Sequence, residues 1–284
     1  MPLGSLRIAI LNRVGEARDT KIHLIHLMKH IWERQGAIII DLFDIDAHVP
    51  ADVLIMHVDA SVVSCEYVEF AARYPAVVNL AATDIRKAGY IDGRLLRGDT
   101  YSGGVIVKTN LNYAGIPERS AQYQASLSKR IYGKLKHAKP MVRPPMLSKS
   151  DYLIFRSLSD VPKTYFSKSY VVQKFKAERI DNGYLLREYM FFNDRHVLRL
   201  EHSTQPIITS GTLLGESFEP PHPALLQLRE KLGLDYGKID YALIAGQPFI
   251  YDANKTVGIA SQPTESTWNL ARHLAAGLES MILS

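Results

Sequence analysis

Apolar and polar positions alternate with two distinct periods along the first eighty residues. Arg7-Ile8-Ala9-Ile10-Leu11 is a continuous apolar run of strand length. Residues 20–35 follow with Ile22, Leu24, Ile25, Leu27, Met28, Ile31 and Trp32 at helical spacing. Further runs at Ala37 to Phe43, Val53 to Val58 and Ala76-Val77-Val78-Asn79-Leu80 predict strands, with a helix over roughly 63–73 between the last two. Strands alternating with helices predict a small parallel α/β domain. Where a dinucleotide-binding fingerprint would place Gly-x-Gly-x-x-Gly after the first strand, Asn12-Arg13-Val14-Gly15-Glu16 stands instead, which removes a dehydrogenase reading.

After about residue 100 the pattern changes. Gly104-Val105-Ile106-Val107-Lys108 predicts a short strand ending in a lysine, able to pair with Asp151-Tyr152-Leu153-Ile154-Phe155 across a long insertion. That insertion, 109–150, carries eight Lys or Arg against one acid. Arg119 to Lys136 reads as helical and Lys139 to Pro145 as extended. Ser169 to Phe175, Tyr184 to Phe192 and His196 to His202 read as an antiparallel meander, followed by a Gly-, Ser- and Thr-rich connection, Ser203 to Ser217, and a helix over Pro223 to Leu232. Ile239 to Ile244 and Pro248 to Asn254 flank Ala245-Gly246-Gln247 and predict a hairpin.

Composition narrows the class. With 284 residues, 46% hydrophobic and 22% charged, the chain has globular proportions, and its net charge of +5 suits anionic small molecules as well as nucleic acid. Its apolar runs are too short to span a bilayer, its first residues lack the pattern of a signal peptide, and Cys65 is its one cysteine; the expected setting is a reducing cytoplasm with no membrane partner.

Chemistry concentrates in the hairpin. Alternation puts Asp252 and Asn254 on one face, and the antiparallel return places Asp240 beside them. Two carboxylates and a carboxamide suit a hard cation such as Mg²⁺ with positions left for phosphates. The plainer alternative is a hairpin with polar strand ends.

The order of these segments resembles the ATP-grasp superfamily of carboxylate–amine ligases, similar to its glutamate-adding members. The matching segments are Val105-Ile106-Val107-Lys108, Val171-Val172-Gln173-Lys174-Phe175, Leu186-Arg187-Glu188-Tyr189, Gly237-Lys238-Ile239-Asp240 and Asp252-Ala253-Asn254, with Pro75 to Asn79 and then Lys87 similar to the linker into the nucleotide half. The resemblance implies an α/β (α+β) fold: an N-terminal α/β domain over 1–100, then an ATP-grasp region over 101–284 with antiparallel sheets. Within that region, 101–175 would be the nucleotide-binding lid subdomain and 176–284 the metal and catalytic subdomain. It implies a ligase that moves the γ-phosphoryl of ATP onto a carboxylate and joins the acyl phosphate to an amine, small-molecule or peptide. Lys108 would bind ATP phosphates, and Gln173, Lys174 and Phe175 would form the adenine hinge. Glu178 would hold the ribose, Arg187 and Arg199 would serve as catalytic cations, and Asp240, Asp252 and Asn254 would hold Mg²⁺. A homodimer is among the assemblies it allows.

The chain departs from the pattern at three places. Asp252 replaces the usual Glu, Lys174 replaces the hinge acid, and the Gly-rich lid is represented only by Thr109 to Gly115. These departures also suit a nucleotide-binding protein of the same fold without ligase chemistry. Nucleic-acid binding through the basic insertion and Tyr113, Tyr123 and Tyr132 is set aside, since no recognised binding module surrounds them. His23, His26 and His30, at helical spacing without acids or cysteines to complete a metal shell, read as a solvated helix face.

Overall fold

In a computed structural model of the chain, residues 4–13, 22–115, 152–209 and 211–283 are described. They form two compact units: residues 1–85 with 177–284, and residues 86–176.

The first unit opens with β1 (Arg7–Leu11), α1 (Leu24–Arg34), β2 (Ile38–Leu42), β3 (Val53–Met56), α2 (Cys65–Ala71) and β4 (Ala76–Val78), whose strands form a parallel sheet in the order β2-β1-β3-β4. Both faces are covered, which explains strands that read as unbroken apolar runs. Ile8, Ile10, Val53 and Ile55 pack with the buried stripe of α1, whereas Ala9, Leu11, Leu54 and Met56 pack with Phe70 and Ala71 of α2. The two-residue period of a strand thus sorts each side chain to its own helix.

The same unit continues with β9 (Glu178–Ile180), β10 (Gly183–Phe192), β11 (Arg195–Ser203), β12 (Thr212–Ser217), α3 (Pro223–Lys231), β13 (Tyr236–Ile244), β14 (Gln247–Asn254), α4 (Glu265–Ala275) and α5 (Gly277–Leu283). Its antiparallel sheet runs β12-β11-β10-β13-β14, with β9 paired to the start of β10. Met190, Phe192, Val197 and Tyr236 share one core with α1, α4 and the parallel sheet, and the Trp32 indole N–H donates to the Ala275 carbonyl at 3.0 Å.

Asn79 ties β4 to β13. It holds a left-handed backbone (φ 65°), which asparagine tolerates better than most residues. Its side-chain oxygen accepts from the amides of Asp235 (2.8 Å) and Tyr236 (2.9 Å), its amide nitrogen donates to the Tyr236 carbonyl (3.0 Å), and its own backbone N–H donates to Asp235 Oδ2 (2.6 Å).

The second unit contains β5 (Arg94–Leu95), β6 (Val105–Thr109), β7 (Leu153–Phe155) and β8 (Tyr170–Lys174), an antiparallel sheet ordered β5-β8-β6-β7. Val105, Val107, Tyr170 and Val172 point into its small core with Leu95, Leu158 and Val161.

Two expectations are corrected. Tyr170–Lys174 pairs with β6 and β5 rather than with the meander, because its buried side chains complete the second unit's sheet. The third meander strand is instead Thr212–Ser217, within the stretch whose composition reads as a loop. The helix expected over Arg119 to Lys136 and the extended run at Lys139 to Pro145 lie outside the described residues.

Asn79→Ala strands buried amides on β13, and we expect it to cost about 2–4 kcal/mol in chemical denaturation. Asn79→Gly, which keeps the left-handed backbone and loses the side-chain bonds, should lose most of the same stability. A Gly variant close to wild type would show that only the backbone conformation matters.

Candidate active site

The β13–β14 hairpin closes through a two-residue turn, Ala245 (φ 51°) and Gly246 (φ 78°), whose left-handed pair matches the twist of the flanking strands. From the turn outward the register runs Ile244↔Gln247 to Tyr241↔Ile250, then shifts by one residue so that Asp240 lies opposite Asp252 and Lys238 opposite Asn254. Tyr251 is the extra residue of a β-bulge, a device that re-aims side chains. Gly237 allows the close approach at the far end, since a Cβ there would run into the Asn254 carbonyl oxygen.

Directly opposed residues share a face, so a row of charged side chains crosses the sheet: Glu216 on β12, Arg199 on β11, Glu188 on β10, Asp240 on β13 and Asp252 on β14. Arg199 Nε lies 3.1 Å from Glu216 and its Nη1 3.6 Å from Glu188. Lys238, two residues from Asp240 and on the same face, places its ammonium 2.5 Å from Glu188 Oε1 and 2.9 Å from Asp240 Oδ1. Burial, together with the nearby carboxylates of Glu188 and Asp252, pushes the Asp240 carboxyl up to about 7 against the pull of the Lys238 ammonium. Glu201, farther along β11 on this face, also titrates high through burial and the Glu188 charge, and it accepts the Gly211 N–H at 3.2 Å.

Arg187 and Glu178 lie elsewhere. Arg187 is opposite Tyr241 and Leu200 and therefore projects from the other face. Its Nε and Nη2 grip the Glu178 carboxylate at 2.7–3.1 Å, and Glu178 Oε2 also accepts the Leu243 N–H at 2.7 Å. The bidentate pair holds the Arg187 guanidinium even more firmly charged than usual, with Glu178 hydrogen bonding as the largest cause. The structure thus brings together Arg199, Asp240, Asp252 and Asn254, but neither Arg187 nor Glu178.

In the second unit Lys108 and Gln173 share a face of the β6–β8 pair, and the Lys108 ammonium donates to Gln173 Oε1 at 2.8 Å. Gln173 Nε2 in turn donates to the Asp92 carbonyl at 2.8 Å. Lys174 leaves the opposite face, its ammonium 5.0 Å from the Tyr101 ring centroid. The amides of Lys174 and Phe175 donate to Gly93 and Gly104 carbonyls, both at 2.8 Å.

Sequence spacing missed Glu188, Lys238 and Glu216, because their meeting depends on cross-strand register. It also missed His57. The reading of His23 as a solvated residue is corrected: His23 is buried at the start of α1, its ring 4.8 Å from that of His57, which follows β3. His57 Nδ1 lies 3.2 Å from Asn12 Oδ1. These residues sit at the carboxyl ends of β1 and β3, where the strand order reverses and α/β sheets form crevices. His30 is exposed, as the helix-face reading expects.

No family model matches the sequence, and no curated protein does. Among solved structures, an ATP-grasp RimK domain protein from Sphaerobacter thermophilus superposes at TM-score 0.50 with 11% identity, covering 98% of this chain and 100% of that one. The chain has the ATP-grasp fold. D-alanine–D-alanine ligase from Bacillus anthracis complexed with ATP is also similar (12% identity, TM-score 0.48, covering 98% of this chain and 96% of that one), as is the macrocyclase MdnB from Microcystis aeruginosa (13%, 0.43, 98% and 97%). At these identities the likeness concerns the fold alone.

In this ATP-grasp chain, the donor set is of the kind a hard divalent cation takes: Asp240 and Asp252 face each other and Asn254 lies two register pairs along on the same face, with the Lys238 ammonium already 2.9 Å from Asp240 Oδ1. Among the described residues no group of three or more His, Cys, Asp or Glu is disposed to hold a metal ion.

A carboxyl titrating near 7 competes with a cation for its own proton. Apparent Mg²⁺ affinity, measured calorimetrically, should fall up to about tenfold per pH unit below pH 7 and level off above it. Because folding raises this value, its stabilising contribution is full below the unfolded carboxylate range and is lost as pH rises through about 7, so stabilisation by Mg²⁺ should grow over the same window. An affinity flat from about pH 5.5 to 8 would exclude Asp240 from the cation site.

Proposed function

We propose that this chain is an ATP- and Mg²⁺-dependent ligase that activates a carboxylate as an acyl phosphate and joins it to an amine. The observation that carries the reading is the Asp240–Asp252 pair with Asn254 beside it, on one face of a sheet in an ATP-grasp fold.

The reaction needs placed charge more than a nucleophilic side chain. A substrate carboxylate oxygen bonds to the γ-phosphorus as its bond to the ADP oxygen breaks. The amine nitrogen then bonds to the acyl carbon, losing a proton as phosphate departs. Bound Mg²⁺ would neutralise phosphate oxygens, and Asp240, Asp252 and Asn254 are the residues that would hold it. Arg199, on the same face, offers a permanent positive charge; Glu188 and Glu216 fix its direction. Lys108 is proposed for phosphate binding, with Gln173 as the positioning residue that orients its ammonium.

Three assignments implied by resemblance are weighed in this proposal against the partners these residues have. Arg187 is committed to Glu178, so catalytic charge is assigned to Arg199. Both Glu178 oxygens already accept hydrogen bonds, from Arg187 and the Leu243 amide, so a ribose hydroxyl held by Glu178 would share them. The amides of Lys174 and Phe175 donate to backbone carbonyls, so the proposed hinge at Gln173, Lys174 and Phe175 would meet a purine through backbone groups other than these two.

A nucleotide-binding protein without turnover is the competing reading, favoured by the Lys238 ammonium standing among the acids. Among the described residues no helix is long and apolar enough to cross a membrane.

ADP release with mixed carboxylate and amine pools should require both pools and Mg²⁺, and Asp240→Ala or Asp252→Ala should lower it about a hundredfold or more. An ATP analogue that raises the melting temperature with Mg²⁺ but is never turned over would overturn the ligase reading and leave the binding one. No shift by any nucleotide overturns both.

A further inference from the structure

Glu201 stands on the face of β11 that bears Arg199, two residues farther along the strand, opposite Leu186 on β10 and Leu213 on β12. Its surroundings are specific. Between Leu200 and Glu201 the pairing with β12 shifts by one residue, so that Leu214, 54% exposed, is the extra residue of a bulge and Leu213 comes to lie against Glu201. The Gly211 amide, just before β12, donates to Glu201 Oε2 at 3.2 Å. Glycine suits that position, because a Cβ there would stand 2.9 Å from the His202 carbonyl oxygen and 3.1 Å from Glu201 Oε2 itself. The backbone thus holds one carboxylate oxygen of Glu201, while Oε1 has no hydrogen bond or ion pair among the described residues.

The other acids of this face are engaged with cations or with the proposed cation site. Glu216 pairs with Arg199, Glu188 pairs with Arg199 and Lys238, and Asp240 contacts Lys238 and faces Asp252. A carboxylate in an ion pair is a weak proton acceptor, since the cation favours its ionised form. Glu201 differs: leucines flank it in register, and burial together with the Glu188 charge strengthens its hold on a proton against the pull of Arg199 and Lys238. Its place on the face also matters. In the ligase reading Arg199 meets the charge of the acyl phosphate, and residues two apart on a strand stand about 7 Å apart. An arginine, a glutamate and a reacting acyl group between them fill that span. An amine attacking the acyl carbon from the side away from Arg199 would carry its N–H toward Glu201.

We propose that Glu201 is the general base of the ligation step and takes the proton that the attacking amine must lose. The inference deepens the ligase reading and rests on it. The amine arrives unprotonated, and its lone pair bonds to the acyl carbon. The bond from that carbon to the phosphate oxygen breaks, phosphate leaves with the electron pair, and one N–H proton passes to Glu201 Oε1. Glu201 returns to the carboxylate by giving that proton to the departing phosphate.

The test separates the two steps. Protein is given ATP, Mg²⁺ and a mixed carboxylate pool, in one arm with hydroxylamine and in the other with a mixed amine pool. Hydroxylamine is largely unprotonated near neutral pH and attacks acyl phosphates without help from a base, so hydroxamate reports acyl phosphate formation alone. Glu201→Gln, whose side-chain carbonyl can still accept the Gly211 N–H, should form hydroxamate at close to the wild-type rate and lose about a hundredfold or more in amide formation. Glu201→Ala should give the same split and decides the matter if Glu201→Gln does not fold, circular dichroism and the melting temperature being read on both. Amide formation at the wild-type rate in a folded variant overturns the proposal and leaves the ligase reading standing. An equal fall in hydroxamate and amide also overturns it, since Glu201 then supports the site as a whole. Wild type that yields neither product overturns the ligase reading itself, and the base with it.

Discussion

Asp252 faces Asp240 because β14 carries one residue more than β13 between the turn and the acidic pair. With the two-residue turn alone, Asp240 would oppose Tyr251, and Asp252 would project from the other face with Arg187 and Tyr241. The bulge at Tyr251 corrects the parity, and every later pair in the hairpin inherits the correction, including Lys238 opposite Asn254. Gly237 then lets the strands continue past the site, where any side chain would meet the Asn254 carbonyl. The chemistry of the face is therefore set by one inserted residue and one missing side chain.

Once aligned, the charges must be reconciled with burial. The face of β10, β11 and β13 that bears Glu188, Arg199 and Asp240 also bears Met190, Val197 and Tyr236, which belong to the hydrophobic core. The ionic row thus runs along the border of the core, where an uncompensated carboxylate is costly. Alternating signs meet that constraint over most of its length: Glu216, Arg199, Glu188, and then Lys238. At Asp240 burial, with the Glu188 and Asp252 charges nearby, outweighs the Lys238 ammonium and shifts the proton equilibrium of the carboxyl upward.

What could be read from the sequence follows from how local each signal is. The parallel α/β layer was legible because apolar period and element length lie within single segments, as in Ile8 to Leu11 and the α1 stripe. The hairpin was legible too, and placing Ala245-Gly246-Gln247 in the turn gives the same net register at Asp240, because a third turn residue and a bulge residue are equivalent in count. Tyr170–Lys174 and Thr212–Ser217 were misplaced because strand pattern names no partner; one fills a separate sheet and the other is an edge strand with mostly exposed side chains. Arg187 and Arg199 look alike in sequence, both on consecutive strands. Only parity relative to Asp240 separates the one locked to Glu178 from the one on the acidic face. Glu188 and Lys238 sat inside the matched segments without attracting notice, since neither carries a motif by itself.

The N-terminal layer bears on this face through the chain that leaves it. Directly after Asn254, Lys255 is buried and donates to the Ala82 carbonyl at 3.1 Å, and Thr256 donates to Asp59 at 2.7 Å. Leu24 then takes the Val257 carbonyl at 2.8 Å, and Ile259 donates to the Ile22 carbonyl at 3.0 Å. Four successive anchors on the parallel-sheet layer fix the exit of β14, while Asn79 fixes the entry of β13 from the same layer. Both ends of the hairpin that carries Asp240, Asp252 and Asn254 are therefore held by residues from the first eighty-five of the chain. The cation role proposed for the Asn254 carboxamide calls for a backbone that does not fray, and the last residue of a strand is where fraying starts. On this argument the α/β layer is part of the site's rigidity, and its buried polar residues around Asp59 and Ala82 serve the far end of the hairpin as much as their own sheet.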